Sequence, residues 1–358
     1  MTMAKKSGEP RPRLAPRTKK VSARPRLALS VGCPCGVGPE VSVRVAAAAR
    51  GCELVLVGDL ESLRDAAGRV GVDPRRVVGA GDAKRAGEIR VVAPFAPLQR
   101  RDRWAGRPTA VSGRAQLAWI DHACDMVTRG EADAIVTGPV SKDAIARSGA
   151  RGAAKFLGHT EHLAARVGAR EVVMAFCSKE LTTSLVTTHL PLAKVARAIR
   201  PEGVARAIYW TARLSRDLGE ARPRIAVCSL NPHAGEGGLL GEEERTAIVP
   251  GIELARARLA GDRVRADVVG PIGAETAFRH AVRGPYDAVV AMYHDQATIP
   301  MKLIGFGDAV NVSLGMPIIR TSVDHGTGYD IAGKGTADPS GMRAAIELAA
   351  RLVTVRRA

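Results

Sequence analysis

The stretch from Ala288 to Lys302 reads AVVAMYHDQATIPMK. Five apolar residues stop abruptly at Tyr293, His294, Asp295 and Gln296, and an ammonium follows at Lys302, beyond Pro300. A strand covered on both faces of a parallel sheet is a continuous apolar run. Ligands of such sheets bind beyond the carboxyl ends of the strands. A histidine just past the run is therefore well placed for chemistry. The pattern recurs: TTSLVTTHLP puts His189 after the run Ser184 to Thr188, and RIAVCSLNPHAGEGG puts His233 just after Ile225 to Leu230. Three imidazoles meeting at one sheet edge can hold a divalent metal and leave a position open. The competing reading is three unrelated loop histidines, because no HxxxH or HExxH pair ties any two of them together.

Other polar groups follow turns in the same manner. VTGPVSK ends in Lys142, and GHTE offers His159 and Thr160, which can equally serve as a helix N-terminal capping turn. Lys302, Asn311 and Arg320 are cationic and amide donors that together suit a phosphate or carboxylate, although each alone reads as an ordinary polar residue. Glycines 32, 36 and 38 in GCPCGVGPE form neither GxGxxG nor a P-loop, but they favour close approach of an anion to a helix start. The long segment VDHGTGYDIAGKGTADP, Val323 to Pro339, reads as a ligand-binding loop.

These groups need elements to carry them. RLALSVG reads as a first strand and leads through the glycine turn into a helix with Pro39 near its start. CELVLVGD, ADAIVTG, EVVMAFCS, LTTSLVTT, RIAVCSL and Ala288 to Met292 read as further strands, and AVNVSLGMPIIRTSV as strand-like throughout. LESLRDAAGRVG, SGRAQLAWIDHACDMVTRG, a long segment Pro191 to Leu218, Glu242 to Leu259 and PSGMRAAIELAARLVTVRR read as helices. Residues 74–110 hold at most short strands, and Lys302 falls on a loop. Strand–helix alternation of this kind predicts an α/β fold with a largely parallel sheet.

Composition bounds the remainder. The chain has 358 residues, enough for two domains. Aromatics are only 3%, so the core must be Val, Leu, Ile and Ala. No stretch reaches the roughly 18 apolar residues of a membrane span. The six scattered cysteines fit reduced thiols of a cytoplasmic protein, and Cys33-Pro34-Cys35 is not a CxxC pair. The net charge of +17 invites a nucleic-acid reading, but residues 1–26 supply +8 of it. That stretch reads as a disordered basic tail, with a transit peptide as the alternative. Of the 53 basic residues 42 are Arg, spread along the chain as a compositional bias and not gathered in a binding stripe.

Taken in order, GPE (38–40), VTGPVSK (136–142), FLGHTE (156–161), TTHLPL (187–192), LNPHAGEGG (230–238), AMYHDQ (291–296) and VNVSLGMPIIRTSVDHGT (310–327) resemble the 4-hydroxythreonine-4-phosphate dehydrogenase family. The resemblance covers roughly residues 27 to 355. DIAGKGTADP also resembles the glycine-rich loop of the isocitrate and isopropylmalate dehydrogenases. The resemblance implies two α/β/α domains with an active-site cleft between them: 27–152 plus 303–358 for the cofactor, and 153–302 for metal, substrate and dimerisation. It implies metal ligands at His189, His233 and His294, with zinc, magnesium or cobalt as the ion and a site shared across a homodimer. Substrate contacts fall on His159, Thr160, Lys302, Asn311 and Arg320. The cofactor, NAD or NADP, falls on the loop carrying Gly326, Asp330, Gly333 and Lys334. The implied reaction is metal-dependent oxidation of 4-phosphooxy-L-threonine, followed by loss of carbon dioxide, in pyridoxal 5'-phosphate synthesis. Lys142, Asp295 and Glu275 are candidates for the general base. Cys33 and Cys35 stand where the family usually has an acid and an alanine, and Glu275 where it usually has Asp. Those departures keep a related phosphorylated four-carbon acid, threonate or erythronate 4-phosphate, as the alternative substrate.

Overall fold

The computed structural model describes residues 24–82, 85–305 and 307–357. Twelve strands form one sheet. They are β1 (Arg26–Ser30), β2 (Glu53–Val57), β3 (Val77–Gly79), β4 (Ile89–Val92), β5 (Ala134–Thr137), β6 (Val173–Cys177), β7 (Thr182–Leu185), β8 (Arg224–Cys228), β9 (Asp267–Ile272), β10 (Ala288–Ala291), β11 (Val310–Leu314) and β12 (Ile319–Val323). Their order across the sheet is β3-β4-β2-β1-β5-β12-β11-β6-β7-β10-β8-β9. Every pairing is parallel except β11 with its two neighbours and β6 with β7. The sheet is therefore largely parallel, as the strand–helix alternation requires.

The antiparallel pairs have a local cause. Only the turn Gly315 to Ile318 separates β11 from β12, and so short a connection permits nothing but an antiparallel return. Gly315 has a positive φ of 83°, and a Cβ there would lie 2.4 Å from the Glu171 carbonyl oxygen. The single strand-like stretch of the sequence is thus a hairpin. β6 returns into β7 through a turn in which Ser178 Oγ accepts the Leu181 N–H.

β5, β6, β7, β10 and β12 are buried end to end, and successive residues feed opposite faces. Leu27, Leu29 and Val31 join one apolar cluster, and Ala28 and Ile135 the other. Trp119, on helix Ala110–Thr128, is among the largest buried side chains. That helix is held at its start by a capping box between Thr109 and Ser112.

Three readings need correction. The segment from Pro191 is two helices, Leu192–Ala198 and Pro201–Asp217, because Arg200 precedes a proline and takes extended backbone. Lys302 lies on helix His294–Ile304, which runs through Pro300, and not on a loop. β9 escaped detection because it contains Gly270 and Pro271, residues that fit only an edge strand. The expected tail lies outside the described residues up to position 23. Arg26 already belongs to β1, where its N–H donates to Asp133 and its guanidinium pairs with Glu53. No helix among the described residues is long and apolar enough to cross a membrane.

Candidate active site

Arg320 sits in β12 between β5 and β11 and is 3% exposed. Its Nε and Nη2 donate to Thr137 Oγ1, at 3.2 and 2.8 Å. Its Nη1 donates to Ser313 Oγ at 3.0 Å, Asn311 Oδ1 at 3.2 Å and Thr160 Oγ1 at 3.3 Å. Asn311 and Ser313 are two apart on β11, so they share one face of the sheet. None of these bonds goes to a carboxylate. Burial pushes the guanidinium pKa down to about 10, against the weak opposite pull of Glu161, so it remains a cation at neutral pH. A buried charge solvated only by neutral dipoles is costly unless an anion joins it. Thr137 and Ser313 were not singled out in the sequence; small polar residues inside apolar strands were their only signal.

His159 begins helix His159–Val167, directly after Gly158. The capping alternative does not hold, since no side chain caps this helix and the Thr160 hydroxyl bonds instead with Arg320 and Ser313 Oγ. His159 Nε2 is enclosed without a hydrogen-bond partner. Burial first, then the charges of Arg320, His162 and Lys142, hold its pKa well below the ordinary 6.5, so the ring is neutral. Lys142 reaches the same turn: a Cβ on Gly158 would lie 3.7 Å from both its Cε and its Nζ.

The neutral His159 has a consequence for stability. The unfolded chain takes up a proton on this imidazole below about pH 6.5 while the folded chain resists, so stability present above that pH is lost as pH falls through it. His159→Gln is expected to flatten the slope of melting temperature against pH between about 5 and 7. An unchanged slope in a melting series would show that His159 does not resist protonation in the folded chain.

His189 and His294 come together because β7 and β10 are parallel neighbours. The pairing continues past both strands: Val186 N–H donates to Ala291 O at 2.9 Å, and Thr187 N–H and Oγ1 to Met292 O at 3.1 and 2.7 Å. Gln296 ties the same corner to β8, accepting from Met292 N–H at 2.6 Å and donating to Ser229 O at 2.9 Å. The two imidazole centroids are 5.4 Å apart. His294 Nδ1 lies 2.7 Å from Asp295 Oδ1. With Nδ1 donating to that carboxylate, Nε2 keeps its lone pair outward, the usual way a carboxylate orients a metal-binding imidazole. Burial and the Lys142 charge lower the His189 pKa, so it too offers a lone pair. Two imidazole lone pairs are half of the four-donor set that a tetrahedral divalent ion takes.

His233 stands apart. It lies in segment Pro232–Gly238, where residues 233–237 have left-handed backbone, with φ of 51° at His233 itself. Glu244, 5% exposed, anchors the start of that segment by accepting N–H bonds from Leu230 and Asn231, both at 2.8 Å. Among the described residues no three His, Cys, Asp or Glu side chains gather closely enough to hold a metal. Glu275 is exposed and engaged by Thr276 and Arg279.

A cavity of about 460 Å³ opens beside this cluster. Lys302, Asp324, His325, Gly326, Gly328 and Ile331 line one side of it. Burial raises the pKa of Asp324, and the Lys302 ammonium opposes that rise. Of the four loop residues expected to meet the cofactor, Gly326 lines the cavity, Gly333 donates its N–H to Glu40, and Asp330 and Lys334 are exposed.

Residues 50–349 match the family model of the pyridoxal phosphate biosynthetic protein PdxA. The chain belongs to the PdxA family. This PdxA chain is 41% identical over 342 residues to 4-hydroxythreonine-4-phosphate dehydrogenase of Geobacter metallireducens, covering 94% of this chain and 97% of that one. It is 42% identical over 339 residues to the enzyme of the same name in Acidithiobacillus ferrooxidans, covering 93% and 98%. A crystal structure of 4-hydroxythreonine-4-phosphate dehydrogenase from Burkholderia phymatum superposes with a TM-score of 0.74 at 37% identity, covering 92% of this PdxA chain and 99% of that protein.

Proposed function

We infer that this chain oxidises the secondary alcohol of 4-phosphooxy-L-threonine with NAD or NADP, giving 2-amino-3-oxo-4-phosphooxybutanoate. That β-keto acid loses carbon dioxide to leave 3-amino-2-oxopropyl phosphate. The observation that carries the reading is Arg320, a buried guanidinium whose every hydrogen bond goes to a neutral oxygen. Family membership supports the same activity.

Arg320, Asn311 and Thr160 together form a polar seat for an anionic group, and the uncapped start of helix His159–Val167 adds N–H donors to it. Neutral His159 offers one further hydrogen bond from its unpartnered Nε2. Lys142 and Lys302 bring ammonium groups to the anion from two other elements. A divalent ion held at His189 and His294 would supply Lewis acidity toward the substrate hydroxyl, and a nicotinamide bound in the cavity would accept the hydride. Asp295 orients His294, and the Lys142 ammonium would stabilise negative charge developing on the substrate oxygen. Residues 27–152 with 303–358, and residues 153–302, are the two domains we assign. β6 to β10 of the latter form a contiguous block of the sheet.

The third imidazole, His233, comes in our reading from a second copy of the chain. Leu192, Leu239 and Leu303, close in the chain to His189, His233 and His294 respectively, are 73%, 84% and 80% exposed, apolar side chains that a second copy could bury. Mixing His189→Ala with His233→Ala chains tests this directly. Each homodimer is expected to be inactive, whereas a mixed dimer regains about half of its sites, because both lesions fall in one site. No recovery on mixing would mean that each site is built from one chain.

The substrate itself is tested by following NAD or NADP reduction with 4-phosphooxy-threonine beside threonate and erythronate 4-phosphates. The alternative substrates stay in the panel because Cys33 and Cys35 are both fully buried in a loop bonded to the glycine segment, Val37 N–H donating to Thr327 O at 2.8 Å. Turnover confined to the acids without an amino group would replace the proposed substrate. The six cysteines are all free, which supports a cytoplasmic location.

A further inference from the structure

We propose that Glu40 is a positioning residue that holds the glycine loop 326–338 at the wall of the 460 Å³ cavity and so sets cofactor affinity. The inference rests on the reading that this cavity takes the dinucleotide. Glu40 lies in the first turn of helix Gly38–Ala48 and is 1% exposed. No described cation pairs with it; its two oxygens are taken by backbone amides. Gly333 N–H donates to Oε1 at 2.7 Å and Gly335 N–H to Oε2 at 3.1 Å.

Amides two residues apart converge on one carboxylate where the chain curls into a left-handed concavity. Gly333 and Gly335 have φ of 81° and 67°, which residues with a side chain rarely adopt. The concavity that could hold an external anion is thus filled by a side chain of the protein itself. Arg44, one turn further along the same helix, donates to the Gly335 carbonyl. Glu40 and Arg44 therefore grip the amides and a carbonyl of one short segment from a single helix face, four residues apart.

The far side of the helix start holds the other end of the loop. Val37 N–H donates to Thr327 O at 2.8 Å, and a Cβ on Gly36 would lie 2.5 Å from that same oxygen. Between these two anchors run Gly328 and Ile331, and Ala337 lies just beyond; all three line the cavity. A shift of the loop away from the helix would move that wall, while Arg320, on β12, would stay where it is.

The test uses the full chain with Glu40→Gln and Glu40→Ala. Calorimetric titration with NAD is expected to show about tenfold weaker binding for Glu40→Gln, and weaker still for Glu40→Ala. The cofactor KM should rise in parallel, with kcat and the KM for the phosphorylated substrate within about twofold of the parent. Hydrogen exchange of segment 331–337 should accelerate in both variants without cofactor present. If Glu40→Ala does not fold, Glu40→Gln, which keeps the shape, carries the comparison. Gly335→Ala attacks the same contact from the other side, since its Cβ would lie 2.6 Å from the Arg69 carbonyl oxygen. Unchanged exchange, or faster exchange with unchanged NAD affinity, overturns the proposal. Faster exchange in variants of a parent that binds neither NAD nor NADP keeps the tether and removes the dinucleotide reading instead.

Discussion

Arg320→Met is expected to lower kcat/KM by about 10²–10³-fold while leaving the melting temperature unchanged or raised. The two effects have one origin. The guanidinium is buried among Thr137, Thr160, Asn311 and Ser313 without an anion. In the free protein that cation is a cost, and a side chain of similar volume without charge removes it. In the proposed complex the same cation would meet the anionic substrate, where charge-assisted bonds contribute about 1.5–3 kcal/mol each. Arg320→Lys keeps the charge but loses the planar fork that spans Thr137 and Ser313, so a loss of about tenfold to a hundredfold is expected. Steady-state kinetics beside thermal melting decide the matter. A variant that loses activity only in proportion to a collapse of the melting temperature would make Arg320 a structural residue.

His294→Ala and His189→Ala are each expected to strip bound metal and to reduce turnover by about 10³-fold or more. The two rings stand 5.4 Å apart at the β7–β10 corner, so each variant halves the imidazoles of that pair. Asp295→Asn separates two roles. As the partner of His294 Nδ1 it should weaken metal affinity by about 10–100-fold, with turnover largely restored at saturating metal. A loss of turnover with full metal content would return Asp295 to the list of candidate bases. Metal analysis after dialysis, run beside kinetics, distinguishes the two results.

Much of this was legible in the chain. Strand-like runs ahead of His189 and His294 marked the strand ends, because a strand covered on both faces carries few ionisable residues before it leaves the sheet. That Asn311 and Arg320 could serve an anion was readable only as residue type. That both sit with Thr137, Thr160 and Ser313 on one buried guanidinium was not, since those five residues come from four segments up to 183 positions apart. Glu40 was visible merely as part of GPE, and nothing local tells a buried loop tether from an ordinary acidic residue in a first helical turn. Glu275 and Lys302 show the converse. Both sit in segments rich in polar groups, yet one faces solvent beside Arg279 and the other rides a helix through a proline.

The sequence by itself determined the α/β class, the strand ends that carry His189 and His294, and the hydrophobic runs that force a largely parallel sheet, because these follow from periodicity over a few residues. Only the tertiary structure decided that β11 reverses direction, that Arg320 is a buried cation without a carboxylate, and that His233 stands off from the other two imidazoles in one chain. Each of these depends on which distant segments become neighbours. Short-range pattern carries no information on that, because strand order is fixed by the packing of whole layers and not by any single strand.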